Sequence, residues 1–292
     1  MGHHAATDST VTTWTWYKDE WHEGNPNIMG PQTHGVWMAS TVFDGARRMN
    51  GKMPDLYPHC ARVLRSAELM GLKPAITTDE IVALVKEGVT KFDPELALYI
   101  KPIVYGGEGF LAPVPESAQF VLCISVTEMP AAVQTGFSAR KSSFRRPSPE
   151  SAPTEAKAAC LYPNVGRAVT EATSSGFDTG VMLDPIGNVA EFSYANLFFA
   201  KGGTVYTPAI NGTFLNGLTR QRVITLLRED GVEVVEKTCK YEELETADEI
   251  FGTGNYYKVA PCVKLDERNL QPGPITRRAQ ELYQAFTAAS KD

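Results

Sequence analysis

Apolar positions recur along this chain with two different periods. In HCARVLRSAELMGL (59–72), Val63, Leu64, Ala67 and Leu69 fall on one stripe at helical spacing, and Gly71 marks the stop. TTDEIVALVKEGVTKF (77–92) opens on a capping sequence and carries Ile81, Leu84, Val85 and Val89 on a second stripe. Between and around these helices the texture is that of strands. GVWMASTVFDGARR (35–48) has a β-branched stretch ending at the turn-like pair Asp44-Gly45. ALYIKPIVYGG (97–107) and QFVLCISVTEM (119–129) are strong strands, with Tyr99, Lys101, Ile103 and Tyr105 on one face of the first.

The pattern lapses in RKSSFRRPSPESAP (140–153), which is rich in Ser, Pro and Arg and reads as an ordered crossing or a flexible hinge. Regularity then resumes. NVGRAVTEATSSGF (164–177) is a short helix ending at Gly176, and residues 179–210 form a run of strands with turns at 185–188 and 201–203. LTRQRVITLLREDG (218–231) is an amphipathic helix with Val223, Ile224, Leu226 and Leu227 inward. Two strands around a Gly-rich bend and a last helix over Ile275–Ala289 complete the chain. The fold class is mixed α/β (α+β). Its expected division is a smaller N-terminal domain at 1–138, an interdomain loop at 139–152 and a larger C-terminal domain at 153–292.

Composition changes this picture little. With 28 Lys+Arg against 34 Asp+Glu the formal charge is −6, which favours neither nucleic acid nor an anionic membrane as partner. Five widely spaced cysteines, with no CxxC pair or Cys/His cluster, point to reduced thiols in a cytoplasmic setting and to no metal site. The opening MGHHAATDST lacks the apolar run of a signal peptide, and its His3 and His4 are compatible with an expression tag.

The candidate chemistry begins at Lys157. In APTEAKAACLYPN it is flanked by Ala156, Ala158, Ala159, Cys160 and Leu161, and an amine in an apolar setting has a lowered pKa and forms Schiff bases. Imine-forming lysines commonly work with pyridoxal phosphate, whose ring is an electron sink. That cofactor requires a group beside the pyridine nitrogen, a cradle for the phosphate and a wall for the ring. Glu191, on one strand face with Val189 and Ser193, is a candidate for the first, although a solvated strand charge reads the same way. Thr219 follows Gly217-Leu218 at a helix start, where free N–H groups attract anions, and it reads equally as a plain N-cap. FGTGNYY offers a second anion loop through Thr253, Gly254 and Asn255, and Arg62 a positive charge.

Taken in order, these segments resemble the fold-type IV pyridoxal-phosphate enzymes, the superfamily of branched-chain and D-amino-acid aminotransferases, from about Thr33 to the last helix. THGVWMASTVFDGARR resembles the family's opening hairpin, and HCARVLRSA the helix whose arginine binds phosphate, which assigns that role to Arg62. PTEAKAACLY resembles the segment of the Schiff-base lysine, implying Lys157, with Tyr162 near the ring hydroxyl. GNVAEFSYANLFF implies Glu191 at the pyridine nitrogen. NGLTRQRVI resembles the PGITR-type motif, implying Leu218 against the ring and Thr219 on the phosphate; DEIFGTGNYYKVAP resembles the SGTAAEITP-type loop, with Gly254 and Asn255 at the phosphate.

The resemblance implies transamination between an amino acid or amine and a 2-oxo acid, by a homodimer. The substrate side departs from the branched-chain pattern. Phe43 follows it, but Lys101 in Tyr99-Ile100-Lys101-Pro102 replaces an arginine, Met38 a tyrosine, and Tyr256 and Tyr257 two alanines. Arg146, in the expected interdomain loop, is a candidate for a substrate carboxylate. A modified pocket leaves three alternatives beside a branched-chain aminotransferase: an (R)-selective amine transaminase, a lyase like aminodeoxychorismate lyase, and a non-catalytic pyridoxal-phosphate-binding protein.

Overall fold

A computed structural model describes residues 12–290, so His3 and His4 lie outside the described residues. The chain divides into two compact units. The first takes the chain up to Glu128, the short segment Ala156–Cys160 and the chain from Thr287; the second takes Met129–Glu155 and Leu161–Phe286.

The first unit is built on an antiparallel sheet of β1 (Thr13–Tyr17), β2 (Glu20–Glu23), β3 (Thr41–Phe43), β4 (Ala46–Arg48), β5 (Leu98–Tyr105) and β6 (Gln119–Val126), in the order β2-β1-β6-β5-β3 with β4 also on β5. Its helices are α1 (His34–Trp37), α2 (Leu56–Leu69) and α3 (Thr78–Val89). The expected opening hairpin is a different object. β3 and β4 do not pair with each other; both run along β5, and Asp44-Gly45 interrupts a single edge strand opposite Pro102. Proline has no N–H to offer the ladder, so pairing lapses there, and only the Asp44 N–H reaches the Pro102 carbonyl, at 2.9 Å.

Helix α2 buries Leu56, His59, Cys60, Arg62, Val63, Ser66 and Ala67, a helical stripe that includes three polar side chains. Leu69, expected on that stripe, is exposed, because the stripe turns toward the polar members that have partners inside. A left-handed Gly71 ends the helix: Gly71 N–H donates to Glu68 and Leu72 N–H to Ala67, which satisfies the last carbonyls. Helix α3 starts on a full capping box between Thr77 and Glu80.

The second unit carries nine strands: β7 (Phe137–Arg145), β8 (Thr179–Leu183), β9 (Val189–Phe192), β10 (Asn196–Lys201), β11 (Thr204–Pro208), β12 (Val234–Lys237), β13 (Glu249–Gly254), β14 (Lys258–Leu265) and β15 (Arg268–Asn269). They run in the order β12-β11-β10-β13-β14-β7-β8-β9 with β15 on β14. Its helices are α4 (Ala132–Thr135), α5 (Tyr162–Thr173), α6 (Leu218–Glu229) and α7 (Tyr241–Glu245), and α8 follows at Pro274–Ala289. The core gathers Phe137, Val181, Phe192, Leu197, Phe199, Ile250 and Tyr257 among others. Burial of this kind stabilises by roughly 25 cal/mol per Å² of apolar surface.

Two sequence expectations change here. Residues 139–145, expected in an interdomain loop, belong to β7, which runs parallel to both β14 and β8. Its alternation was hidden because the inward position after Phe137 and Ala139 is Ser142, held by Glu171 through a 2.7 Å hydrogen bond, so no apolar period shows. The segment of Lys157, expected in the C-terminal domain, groups with the first unit. Among the described residues no helix is long and apolar enough to cross a membrane, and no cluster of three or more His, Cys, Asp or Glu side chains is arranged to hold a metal ion.

Candidate active site

Lys157 is fixed through its backbone. Its carbonyl accepts from Phe43 N–H at 3.1 Å, its own N–H donates to Ser66 Oγ at 3.1 Å, and Ala158 bridges to Val42. Edge strand β3 and helix α2 therefore hold the residue from two sides without using its amine. Nζ stands 5.1 Å from the centre of the Phe43 ring, between buried Ala156 and Ala158 in sequence.

Arg62, on the buried stripe of α2, is held by Asp44. Nε donates to Oδ2 at 2.6 Å and Nη2 to Oδ1 at 2.8 Å, a bidentate pair, while His59 Nδ1 lies 2.7 Å from Oδ1. Burial pushes the Asp44 carboxyl up, but the Arg62 guanidinium and His59 outweigh it and hold the group far below the usual carboxylate range. Asp44 is thus a charged anchor that fixes the plane of the arginine, and reading it only as a turn residue missed this. Tyr99 and Lys101 lie on the half-buried face of β5, with Lys101 Nζ 5.7 Å from the Tyr99 ring centre, and Met38 follows α1 at the surface.

In the second unit Glu191 lies on β9 with only 7% of its surface exposed. Two donors flank it: Arg146 Nε stands 3.3 Å from Oε1, and Asn196 Nδ2 donates to Oε2 at 3.3 Å. Arg146, expected to meet a substrate carboxylate, is instead buried, and its Nε also donates to the Thr213 carbonyl at 3.1 Å. Removed from water, the guanidinium needs an anion, and Glu191 supplies one.

Helix α6 begins at Leu218 and Thr219, and its N-cap, Gly217, has no side chain to cap the first turn. The first N–H groups of a helix lack intrahelical acceptors and face the positive end of its dipole, an arrangement that receives anions. Thr253 lies opposite Asn196 in the β10–β13 register, and its fully buried hydroxyl has no hydrogen-bond partner among the described residues. Past it, Gly254 pairs with Lys258 across a tight loop, and Lys258 Nζ donates to Asn255 Oδ1 at 2.5 Å. Tyr162 opens α5 at the half-buried start of that helix.

The two tyrosines of the loop differ in burial. Tyr256 is 49% exposed and packs edge-on to Tyr194. Tyr257, expected beside a substrate, is in the core: its ring stacks on Phe137 at 5.6 Å, and Gly252 makes the room, since a Cβ there would stand 2.2 Å from the Tyr257 hydroxyl.

Comparison with known proteins fixes what these parts belong to. The family described as amino-transferase class IV matches residues 41–265. A probable branched-chain-amino-acid aminotransferase of Aquifex aeolicus is 35% identical over 263 residues, covering 86% of this chain and 85% of its own. The chain belongs to the class IV aminotransferases. Among solved structures, an aminotransferase from Brucella abortus bound to the cofactor PLP is 47% identical, with a TM-score of 0.93 over 95% of this chain and 100% of that one. The branched-chain aminotransferase of Thermoproteus uzoniensis with norvaline is 29% identical, with a TM-score of 0.88 and 96% of both chains covered.

For this class IV aminotransferase, three braces escaped the sequence reading. Asp44 was visible only as a turn residue, and Arg146 as a loop charge assigned to a substrate carboxylate rather than to Glu191. Asn196 carried one faint signal, a carboxamide opening the otherwise apolar run NLFFA.

Proposed function

We propose that this aminotransferase binds pyridoxal phosphate and moves the amino group of branched-chain amino acids to a 2-oxo acid, through a substrate pocket altered from the usual branched-chain pattern. The observation that carries the reading is the buried, charge-paired Glu191 in the same unit as an uncapped helix start and the partnerless Thr253 hydroxyl. Those residues fit the cofactor: the hydroxyl and the N–H groups are donors in want of an anion.

When bound, the cofactor supplies an electron sink for charge developing at the substrate α-carbon. The chain's own residues do the rest. Lys157 Nζ removes the α-proton and returns it, which requires the neutral amine. Glu191 would hold the ring nitrogen as a carboxylate. The backbone at Leu218 and Thr219, with Thr253, Gly254 and Asn255, binds the phosphate, and Arg62 adds positive charge held in place by Asp44. Leu218 would hold the ring and Tyr162 its hydroxyl.

Lys101 receives the substrate carboxylate as a point charge rather than a planar fork. Met38, Phe43, Tyr99 and Tyr256 shape the side-chain pocket. Arg146 and Tyr257 take no direct part.

Mixing the loaded protein with leucine, isoleucine and valine is expected to bleach its yellow colour, and 2-oxoglutarate to restore it. Bleaching only by (R)-amines, or pyruvate release from aminodeoxychorismate, would replace the substrate assignment. A colourless protein would end the whole reading.

A homodimer belongs to the same proposal. In the first unit Trp37 packs on Phe110 at 5.4 Å, yet Phe110 and Leu111 are 72% and 77% exposed, beside exposed Val36 and Val114. A patch of this kind on a soluble enzyme is a surface for association. Light scattering is expected to give twice the mass of 31.9 kDa; a monomer at micromolar concentration would contradict it. A cytoplasmic setting is supported by the five free thiols.

A further inference from the structure

The carboxamide of Asn196 holds three points at once. Its Nδ2 donates to Glu191 Oε2 at 3.3 Å and to the Leu215 carbonyl at 3.0 Å, and its Oδ1 accepts from Gly217 N–H at 3.1 Å. A backbone N–H only donates and a carbonyl only accepts, so these partners also fix which way the amide faces. One side chain therefore ties the acid on β9 to the turn that delivers the first residues of α6.

The joint is tight as well as connected. Asn196 is buried, and a Cβ on Gly217 would stand 2.1 Å from Asn196 Oδ1, so the turn admits no side chain there. Directly across the β10–β13 ladder is Thr253, whose buried hydroxyl lacks a partner among the described residues. Aspartate has nearly the same shape and could still accept from Gly217, but it could make neither donation and would set a second carboxylate against Glu191.

We propose that Asn196 is a positioning residue of the cofactor site, setting the spacing between the Glu191 carboxylate and the anion-binding start of α6. The proposal rests on the pyridoxal-phosphate reading above. The cofactor is a rigid ring with its phosphate on a short arm, so ring acid and phosphate seat must be registered to each other for both to engage. Asn196 supplies that register, and without it the phosphate contributes less to binding.

The test compares two ligands on one apoprotein: pyridoxal phosphate, and pyridoxal, which lacks the phosphate. The ratio of their dissociation constants isolates the contribution of the phosphate. Asn196→Ala and Asn196→Asp are expected to shrink that ratio about tenfold, the loss of roughly one hydrogen bond's worth of registration. Pyridoxal affinity should change much less in Asn196→Ala, which also reports that the variant is folded.

Gly217→Ala displaces the amide without altering its chemistry and should shrink the ratio in the same way, which keeps the test open if Asn196→Ala fails to fold. An unchanged ratio in the folded variants, or equal losses for both ligands in Asn196→Ala, would overturn the positioning role while leaving the cofactor assignment intact. Wild-type protein that binds neither ligand would overturn the cofactor assignment, and this inference with it.

Discussion

Lys157→Ala is expected to lose amino transfer by at least a factor of about 10⁴ while remaining folded. Proton transfer by a positioned base is commonly worth about 10²–10⁴, and this amine is also the proposed covalent anchor of the cofactor. Retained folding follows from the way the residue is held. Phe43 N–H and Ser66 Oγ bind the main chain of Lys157, and alanine keeps those bonds. Thermal unfolding should therefore shift little. Steady-state assays with a branched-chain donor check the first part and calorimetry the second. A variant retaining a tenth of wild-type turnover would remove Lys157 from the chemistry.

Glu191→Gln has the second largest expected effect, and it acts on two quantities. Removing the negative charge proposed to face the ring nitrogen should lower kcat by about 10²–10³, the scale on which one preorganised electrostatic group acts. It should also destabilise the fold, because Arg146, 6% exposed, would lose its anion. Breaking one side of a buried pair costs about 3–5 kcal/mol, whereas replacing both members with groups of similar volume is often tolerated. The double variant Arg146→Met/Glu191→Gln is therefore expected to regain stability in urea titration without regaining turnover. Recovery of both together would mean that Glu191 serves the fold alone.

What was legible in the sequence was local or ordered along the chain. The helix carrying Arg62, the start of α6 at Leu218-Thr219 and the strand of Glu191 follow from spacing, capping and alternation, which are properties of neighbouring residues. The order of the motifs then connected them to a family. What stayed hidden depends on residues far apart in the chain. Arg146 is forty-five positions from Glu191 and sits in a Ser/Pro/Arg-rich stretch, so its composition suggested an ordered crossing or a flexible hinge. The partner that draws it inward is not encoded nearby.

The same holds for Tyr257. Beside Tyr256 in the sequence it looked like a second pocket wall, but its ring is buried in the core, where Phe137 and the missing side chain of Gly252 receive it. Asp44-Gly45 resembled a hairpin turn until Pro102, more than fifty residues on, showed why the edge strand pauses there. Polar residues inside apolar runs, such as Ser66 on α2 and Asn196 on β10, mark the positions where long-range hydrogen bonding decides a residue's role.

The attachment of the cofactor gives the most direct measurement. Reducing the loaded wild-type protein with borohydride and mapping its peptides by mass is predicted to place a single phosphopyridoxyl group on Lys157. A label on any other lysine, the buried Lys258 included, or no label on a protein that transfers amino groups, would contradict the account.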